Sequence, residues 1–398
     1  MVRRWPHQQR ALTQSGKNAA QGIKDQCIVS PCGGGKSLLI ETIATQSAAA
    51  GKCVYIYTHR VLLTAQIIAD FQRAGVDFGV IGAGFRELYQ PPANIQICSL
   101  MTVHNRFGSY KWEARKPDVV IVDEAHQQVA NTAQELFKRH SDAGAIRVGF
   151  TATPVGLGGM YDVLVDGGKY SEMVGCGAHI PVQCFGPDRP DTSQLKPMAS
   201  GDFSEADDRR INRVPTIFGS VYKNWRDINP FEHPAVGFAP GCAESQWFVD
   251  EFKKKGVPCC HIDAKRVVLV ERGANGVLQT HEYATTNEAR QAVLDGSRSG
   301  AFKIVWNRFV MREAINVPEW YHAIAATSMG GLSSYLQSIG RVLRNHPSMT
   351  HCCFQDHSGN IDRHGLPNED REWSLGDTNA TMLKKRKEKI SKTKGDDA

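Results

Sequence analysis

Ser30-Pro31-Cys32-Gly33-Gly34-Gly35-Lys36-Ser37 follows a short apolar run, Cys27-Ile28-Val29, and opens a helix-like run, Leu38-Leu39-Ile40-Glu41-Thr42-Ile43-Ala44. The order is strand, glycine loop, helix, which is the context a phosphate-binding loop requires. Glycines let backbone N–H groups turn toward a polyphosphate without a side-chain clash. The helix N-terminus adds a partial positive charge. Lys36 can reach the outer phosphates, and the Ser37 hydroxyl can ligate Mg²⁺. The spacing G-x-x-x-x-G-K-[ST] is met except at its first position, where Ser30 stands. Cys32, Gly33, Gly34, Gly35, Lys36, Ser37 and Leu38 are therefore candidate nucleotide-binding residues. An ordinary glycine-rich turn between strand and helix is the plain alternative.

Around this loop the first half of the chain alternates strand and helix patterns. Ile28–Ser30, Val54–Tyr57, Ile95–Ser99, Val119–Asp123 and Val148–Thr151 read as short buried strands, apolar and rich in β-branched residues. Val61–Ala74 has the spacing of an amphipathic helix. Such alternation predicts a mainly parallel sheet covered on both faces. The stretch from about Pro181 to Pro234 breaks the rhythm with Pro, Asp and Gly, and reads as a connector over 179–232 with some helix near Glu205–Trp225. The rhythm resumes with strands at Ala235–Ala239, Cys259–Ile262, Ile304–Trp306, Ala323–Ala326 and Thr350–Phe354. Helices are expected at Ala243–Lys255, Asn287–Ser299 and Ser333–Arg344. Val267–Val270 and Val277–Tyr283, joined through Asn275-Gly276, read as an inserted hairpin. The expectation is two tandem α/β domains, 1–178 and 233–376, with a basic tail at 377–398.

Composition narrows the class. The 398 residues are 41% hydrophobic and 22% charged, as in a globular protein of two domains. No apolar run approaches the ~20 residues of a membrane span, and the basic N-terminus lacks the apolar core of a signal peptide. A cytoplasmic protein that touches no membrane is expected. Eleven cysteines without a C-x-x-C argue for reduced thiols. Two vicinal pairs flank a histidine, Cys259-Cys260-His261 and His351-Cys352-Cys353. They are either buried strand residues or halves of a metal site. Net charge of +6 permits nucleic-acid binding without requiring it. The run Lys384-Lys385-Arg386-Lys387-Glu388-Lys389 reads as a basic helix against phosphates or as a solvated end.

Three further groups carry chemistry. Val119-Val120-Ile121-Val122 ends in Asp123-Glu124-Ala125-His126, an apolar strand delivering adjacent carboxylates. Asp123 suits a Mg²⁺ ligand and Glu124 a group that orients attacking water. Thr151 and Thr153, two apart on extended chain, face the same side and can reach His126. Gln337, Arg341 and Arg344 are spaced i, i+4 and i+7, so one helix face presents them to phosphate. At the N-terminus, Gln8 offers donor and acceptor to an adenine edge, and Trp5 can stack on the ring.

Together these motifs resemble the superfamily 2 helicases, in particular the DEAH-type branch and phage or bacterial members of the UvsW, RecG and RadD kind. The likeness spans about residues 4–345. In order it places a glutamine motif at Gln8, motif I at Gly33–Ser37, motif Ia at Thr58-His59-Arg60 and motif II at Asp123–His126. Motif III falls at Thr151–Thr153, motif V at Glu313–Pro318 and motif VI at Gln337–Arg344. The segment Asp356-His357-Ser358-Gly359-Asn360 with Arg363-His364-Gly365 looks like a mark of phage-type members.

The resemblance implies two RecA-like domains, ATP with Mg²⁺ between them, and nucleic acid across both, gripped mostly through its backbone. Catalytic roles are implied for Lys36, Asp123, Glu124, His126, Gln337, Arg341 and Arg344. Strand contacts are implied for Thr58, His59, Arg60, Ser99, Thr102 and His104, and for Pro240, Gly241 and Ser245. Motif V departs from the family's Glu-Gly-x-Asp-x-Pro, with Ala314 and Asn316 in place of Gly and Asp. The expected function is an ATP-dependent DNA helicase of replication, recombination or repair, acting as a monomer, in a host cytoplasm if phage-encoded. A duplex translocase without net unwinding, an RNA helicase and a non-catalytic nucleic-acid-binding module are the alternatives.

Overall fold

The computed structural model describes residues 4–106, 115–186, 195–198, 201–212, 215–312 and 317–396. The chain forms two compact units. The first is Met1–Cys176 with Asp370–Thr381; the second is Gly177–Glu369 with Met382–Ala398.

Among the described residues the first unit holds seven strands: β1 (Asp25–Val29), β2 (Val54–Thr58), β3 (Gly79–Ile81), β4 (Ile95–Ser99), β5 (Val119–Val122), β6 (Ile146–Thr151) and β7 (Val163–Asp166). Its helices are α1 (Pro6–Ala20), α2 (Lys36–Ala49), α3 (Val61–Arg73), α4 (Leu100–Arg106), α5 (Asn131–Asp142) and α6 (Tyr170–Gly175). The sheet order is β3-β4-β2-β5-β6-β1-β7, and every pairing is parallel. Alternate strand residues feed two apolar layers, because successive side chains leave opposite faces. Ile28, Ile56, Ile97 and Ile121 join one layer with Leu39 and Phe71 of the helices. Cys27, Tyr57, Val120 and Val122 join the other with Leu136 and Phe137. Two faces buried in this way explain why the strands read as unbroken apolar runs. Short β3 and β7 were not expected from the sequence.

The order matters for the site. Strand β6 lies between β1 and β5, with Val29 opposite Thr151 and Val122 opposite Gly149. The glycine loop, the Asp-Glu pair and the threonines therefore leave three adjacent strands at one sheet edge. Ligand sites in such sheets lie at the carboxyl ends of strands.

The second unit contains β8 (Val182–Phe185), β9 (Ala235–Phe238), β10 (Cys259–Ile262), β11 (Arg266–Arg272), β12 (Leu278–Ala284), β13 (Ile304–Asn307), β14 (His322–Ala325) and β15 (Cys352–Asp356). Its helices are α7 (Glu205–Asn212), α8 (Pro215–Ile228), α9 (Cys242–Lys254), α10 (Asn287–Arg298), α11 (Leu332–Ile339) and α12 (Asn360–His364). The sheet runs β12-β11-β10-β13-β9-β14-β15-β8. It is parallel from β10 to β8, while the expected hairpin β11–β12 adds antiparallel to the β10 edge. Its packing centres on Trp306, which stacks on Phe248 at 3.8 Å with the rings 1° from parallel.

The stretch read as a connector is instead part of this unit. Strand β8 pairs with β15, and α8 sends Val221 and Trp225 into the core. Its Pro and Gly content marks irregular chain, but an edge strand of four residues leaves little periodicity to read. The vicinal cysteines sit on β10 and β15, with three strands between them. Among the described residues no cluster of three or more His, Cys, Asp or Glu could hold a metal ion, and the cysteines are free thiols. The basic run near the C-terminus lies in helix α13 (Asn379–Asp396), where Arg386 bonds Glu369 at 3.1 Å. No helix among the described residues is long and apolar enough to cross a membrane.

Candidate active site

The loop after β1 is shaped by close backbone packing. Gly35 has φ +80°, a left-handed conformation that costs glycine nothing. It caps α2, so the amides of the first helical turn at Lys36 and Ser37 open the helix without partners inside it. Ser30, at the variant first position, is fully buried, and a Cβ on Gly34 would overlap its hydroxyl. The larger first residue is thus matched by a glycine above it, and the loop keeps its course. The cradle and the helix end fit a polyphosphate.

The carboxylates meet the loop from β5. Lys36 Nζ lies 2.7 Å from Glu124 Oε1, with 14% of each side chain exposed. Burial lowers the affinity of Lys36 for its proton, but the charges of Glu124, Cys32 and Asp123 outweigh it and hold the ammonium up. Glu124 has φ 48°, uncommon for a residue with a side chain. Its N–H donates to Asp123 Oδ1 at 2.9 Å, which fixes the two carboxylates relative to each other. Burial and the charge of Glu124 push the Asp123 carboxyl up to about 6, against the pull of Lys36. His126 Nδ1 stands 2.9 Å from Thr151 Oγ1 and 3.5 Å from Glu124 Oε2. Thr151 Oγ1 in turn accepts the Thr153 N–H at 3.0 Å. Lys36, Asp123, Glu124, His126 and Thr151 therefore form one connected group. Ser37, exposed at the α2 start, and Asp123 offer oxygen donors of the kind Mg²⁺ takes alongside phosphate oxygens.

Gln8 lies beneath the loop rather than open at its rim. It is 1% exposed, accepts the Trp5 N–H at 3.0 Å and donates to Gly34 O at 3.2 Å. Its amide retains one donor hydrogen for another partner. Cys32 and Leu38 are half-buried beside the loop. Two supports were missed in the sequence. His7 Nε2 also reaches Gly34 O, at 3.3 Å. Gln128 donates to Asp123 O at 2.6 Å and Tyr57 O at 3.3 Å, tying the β5 exit to β2. Both are side chains bonding to backbone, which no residue spacing announces.

The strand-contact candidates separate. Thr58 and Ser99 are register partners at the ends of β2 and β4, beside exposed Arg60 and half-buried His59 and Thr102. Thr58 is 1% exposed, with its hydroxyl on Thr64 at 2.6 Å. Pro240 and Gly241 are buried at the β9 exit. Ser245 does not present a contact: it is fully buried, 2.6 Å from His261 Nδ1, and His261 Nε2 lies 3.0 Å from Asp263.

The arginines also depart from the expected helix face. Helix α11 ends at Ile339, and Gly340 follows as its cap. Gln337 lies on the helix, Arg341 in the tight turn after it, and Arg344 in an isolated bridge to His179. Gln337 and Arg341 stay linked, because Arg341 Nε donates to Gln337 O at 3.2 Å. Gly340, a poor helix former at the cap position, was the missed stop signal. Glu313–Asn316, including Ala314 and Asn316, lie outside the described residues.

The family model described as "Type III restriction enzyme, res subunit" matches residues 2–156, the stretch that builds this site. Over those residues the chain is similar to that family. The fold is that of two RecA-like domains. A 51.5 kDa protein of a Lactococcus phage is 27% identical over 353 residues, covering 87% of this chain and 68% of that protein. Putative helicase 22 of a Sulfolobus islandicus filamentous virus is 23% identical over 57% of this chain and 40% of its own length. In fold, the chain resembles the ATP-dependent type ISP restriction-modification enzyme LlaBIII bound to DNA, with a TM-score of 0.63 and 14% identity. That match covers 93% of this chain and 28% of the larger enzyme.

Proposed function

We propose that the protein is a DNA motor that hydrolyses ATP with Mg²⁺ in replication, recombination or repair. The observation that carries this reading is the convergence of Lys36, Asp123, Glu124, His126 and Thr151 at the ends of β1, β5 and β6. When ATP is bound, its phosphates compete with Glu124 for Lys36. Glu124, released from the lysine and steadied by its neighbours, orients water toward the γ-phosphate. Asp123 and Ser37 would hold Mg²⁺, which supplies charge neutralisation on the phosphates. Gln337, Arg341 and Arg344 are the groups that would neutralise charge developing on the γ-phosphate during the cycle. Arg60, Ser99 and Thr102 supply contacts to a strand, whose backbone carries no sequence information.

DNA is favoured over RNA because the restriction enzyme of like fold is one bound to DNA. The test is phosphate release at fixed salt with single-stranded, duplex and forked DNA and with RNA. DNA-stimulated turnover is expected, abolished by Lys36→Ala and by Glu124→Gln. Near wild-type turnover in either purified variant would refute the site assignment, and stimulation by RNA alone would refute the choice of DNA.

A further inference from the structure

Between β14 and α11 runs Thr327-Ser328-Met329-Gly330-Gly331, a loop in no strand or helix yet buried at every residue. Buried backbone without a ladder must find other partners. Here side chains supply them. Ser328 N–H donates to Asp208 Oδ1 at 2.8 Å, and Met329 N–H to Asn360 Oδ1 at 2.7 Å. Gly330 and Gly331 N–H both donate to Asp202 Oδ1 at 3.1 Å. Asn360 Nδ2 returns a bond to Thr327 O at 3.0 Å. Three side chains thus hold four consecutive amides.

Each holder is itself held. Asp208 and Asn360 are fully buried. Asp208 also accepts from the Thr327 hydroxyl and lies 3.6 Å from Arg308. Asn360 donates to Asp356 Oδ1 at 2.9 Å, and Asp356 Oδ2 accepts the Ile361 N–H at 2.8 Å. Asp202 accepts the Ser334 hydroxyl on the first turn of α11. The segment expected to be a connector, and the Asp356–Asn360 motif, converge on this one loop.

The loop leads straight into α11, which carries Gln337 and delivers Arg341 just past its end. The helix has eight residues, so it is about 12 Å long. A tilt of roughly 5° at its start therefore moves its far end by about 1 Å, a displacement able to cost on the order of 10²-fold in rate. We propose that Asp202, Asp208 and Asn360 are positioning residues that aim the Gln337–Arg341 turn for ATP hydrolysis. This rests on the ATPase reading above.

The test uses Asp202→Ala, Asp202→Asn and Asn360→Asp, each alone and combined with Arg341→Ala. Single-turnover ATP hydrolysis with DNA reads the slow variants, steady state gives kcat and KM, and thermal melts give the folded fraction. Asp202→Ala and Asn360→Asp should lower kcat about tenfold with KM for ATP within about twofold. Asp202→Asn keeps the Oδ1 acceptor and should recover most of the rate. Beside Arg341→Ala the same changes should cost less than about twofold, since a residue acting through Arg341 has nothing left to aim. Equal losses with and without Arg341, unchanged kcat, or losses that track the unfolded fraction would each overturn the proposal. A wild-type protein without ATP turnover would overturn the underlying reading as well. An active wild type with indifferent variants overturns the positioning alone.

Discussion

Replacing Gly35 by alanine tests how the phosphate loop is held. A Cβ at Gly35 would overlap Gln8 Nε2 and stand 3.5 Å from Gln8 Cδ. Two costs follow. The left-handed backbone, φ +80°, costs an alanine about 1–2 kcal/mol. The Gln8 amide must also swing away from Gly34 O, losing a hydrogen bond of about 1 kcal/mol. The sum is about 2–3 kcal/mol. Where it appears depends on what the loop does. If the loop keeps its shape, the first unit loses that stability and its Tm falls by roughly 4–12 °C, with nucleotide affinity unchanged. If the loop relaxes, the Tm holds and nucleotide must pull the loop back. Binding then weakens by roughly 30- to 150-fold, since 1.4 kcal/mol is tenfold. The two losses are complementary, and their sum is what the structure fixes. Calorimetry and titration with a fluorescent ATP analogue on one preparation measure both. With Gln8→Ala already in place, only the backbone cost of about 1–2 kcal/mol should remain. A summed loss below about 0.5 kcal/mol, or the same loss in both backgrounds, would refute the reasoning.

Three other perturbations follow from the packing. Gly237→Ala drives a Cβ into the Trp306 ring, which is fixed by its stack on Phe248. It should cost the second unit about 3 kcal/mol and lower its Tm by roughly 6–12 °C in calorimetry. Ser245→Ala leaves buried His261 Nδ1 without this partner and should cost about 1–3 kcal/mol in urea unfolding, with DNA affinity in a binding titration unchanged. Burial lowers His140 and His357 to about 4, and burial with the neighbouring His357 lowers His322 to about 3. These histidines stay neutral in the folded chain but take protons near 6.5 when unfolded, so stability present above that pH is lost as pH falls. Between pH 7 and pH 5 each should cost about 2 kcal/mol in urea unfolding, and a flat profile would contradict their burial.

The parallel sheets were legible because their strands are buried on both faces. Five apolar runs in each half announced themselves without a partner in view. What stayed hidden was short or paired at an edge. Strands β3, β7 and β8 have three or four residues, too few for a period to show. The Asp123-Glu124 pair and Lys36 were readable because chemistry demands those residue types directly after a strand or a glycine loop. The i, i+4, i+7 spacing at Gln337, Arg341 and Arg344 misled, because spacing predicts a shared face only while the helix lasts, and Gly340 ends it. Ser245 misled for a related reason. A serine at a helix start reads as exposed, but burial depends on His261 and Asp263 of a strand and its turn farther along the chain.

The supports of the chemistry share one character in both units. The phosphate loop is gripped through Gly34 O by Gln8 and His7 of α1. The loop before α11 is gripped through its amides by Asp202, Asp208 and Asn360. In each case a side chain bonds to backbone across a long sequence separation. Such a bond asks only for one donor or acceptor at the right place, so many residue types and many positions can provide it. A reacting group has less latitude: an outer phosphate calls for a cationic or N–H donor such as Lys36, and attacking water for a carboxylate or amide that can orient it. Motifs therefore concentrate where chemistry restricts the choice of residue, and scatter where geometry alone is needed. That is why Lys36 and Glu124 can be found by pattern, whereas the residues that decide whether Arg341 is aimed within an ångström had to be found by their hydrogen bonds.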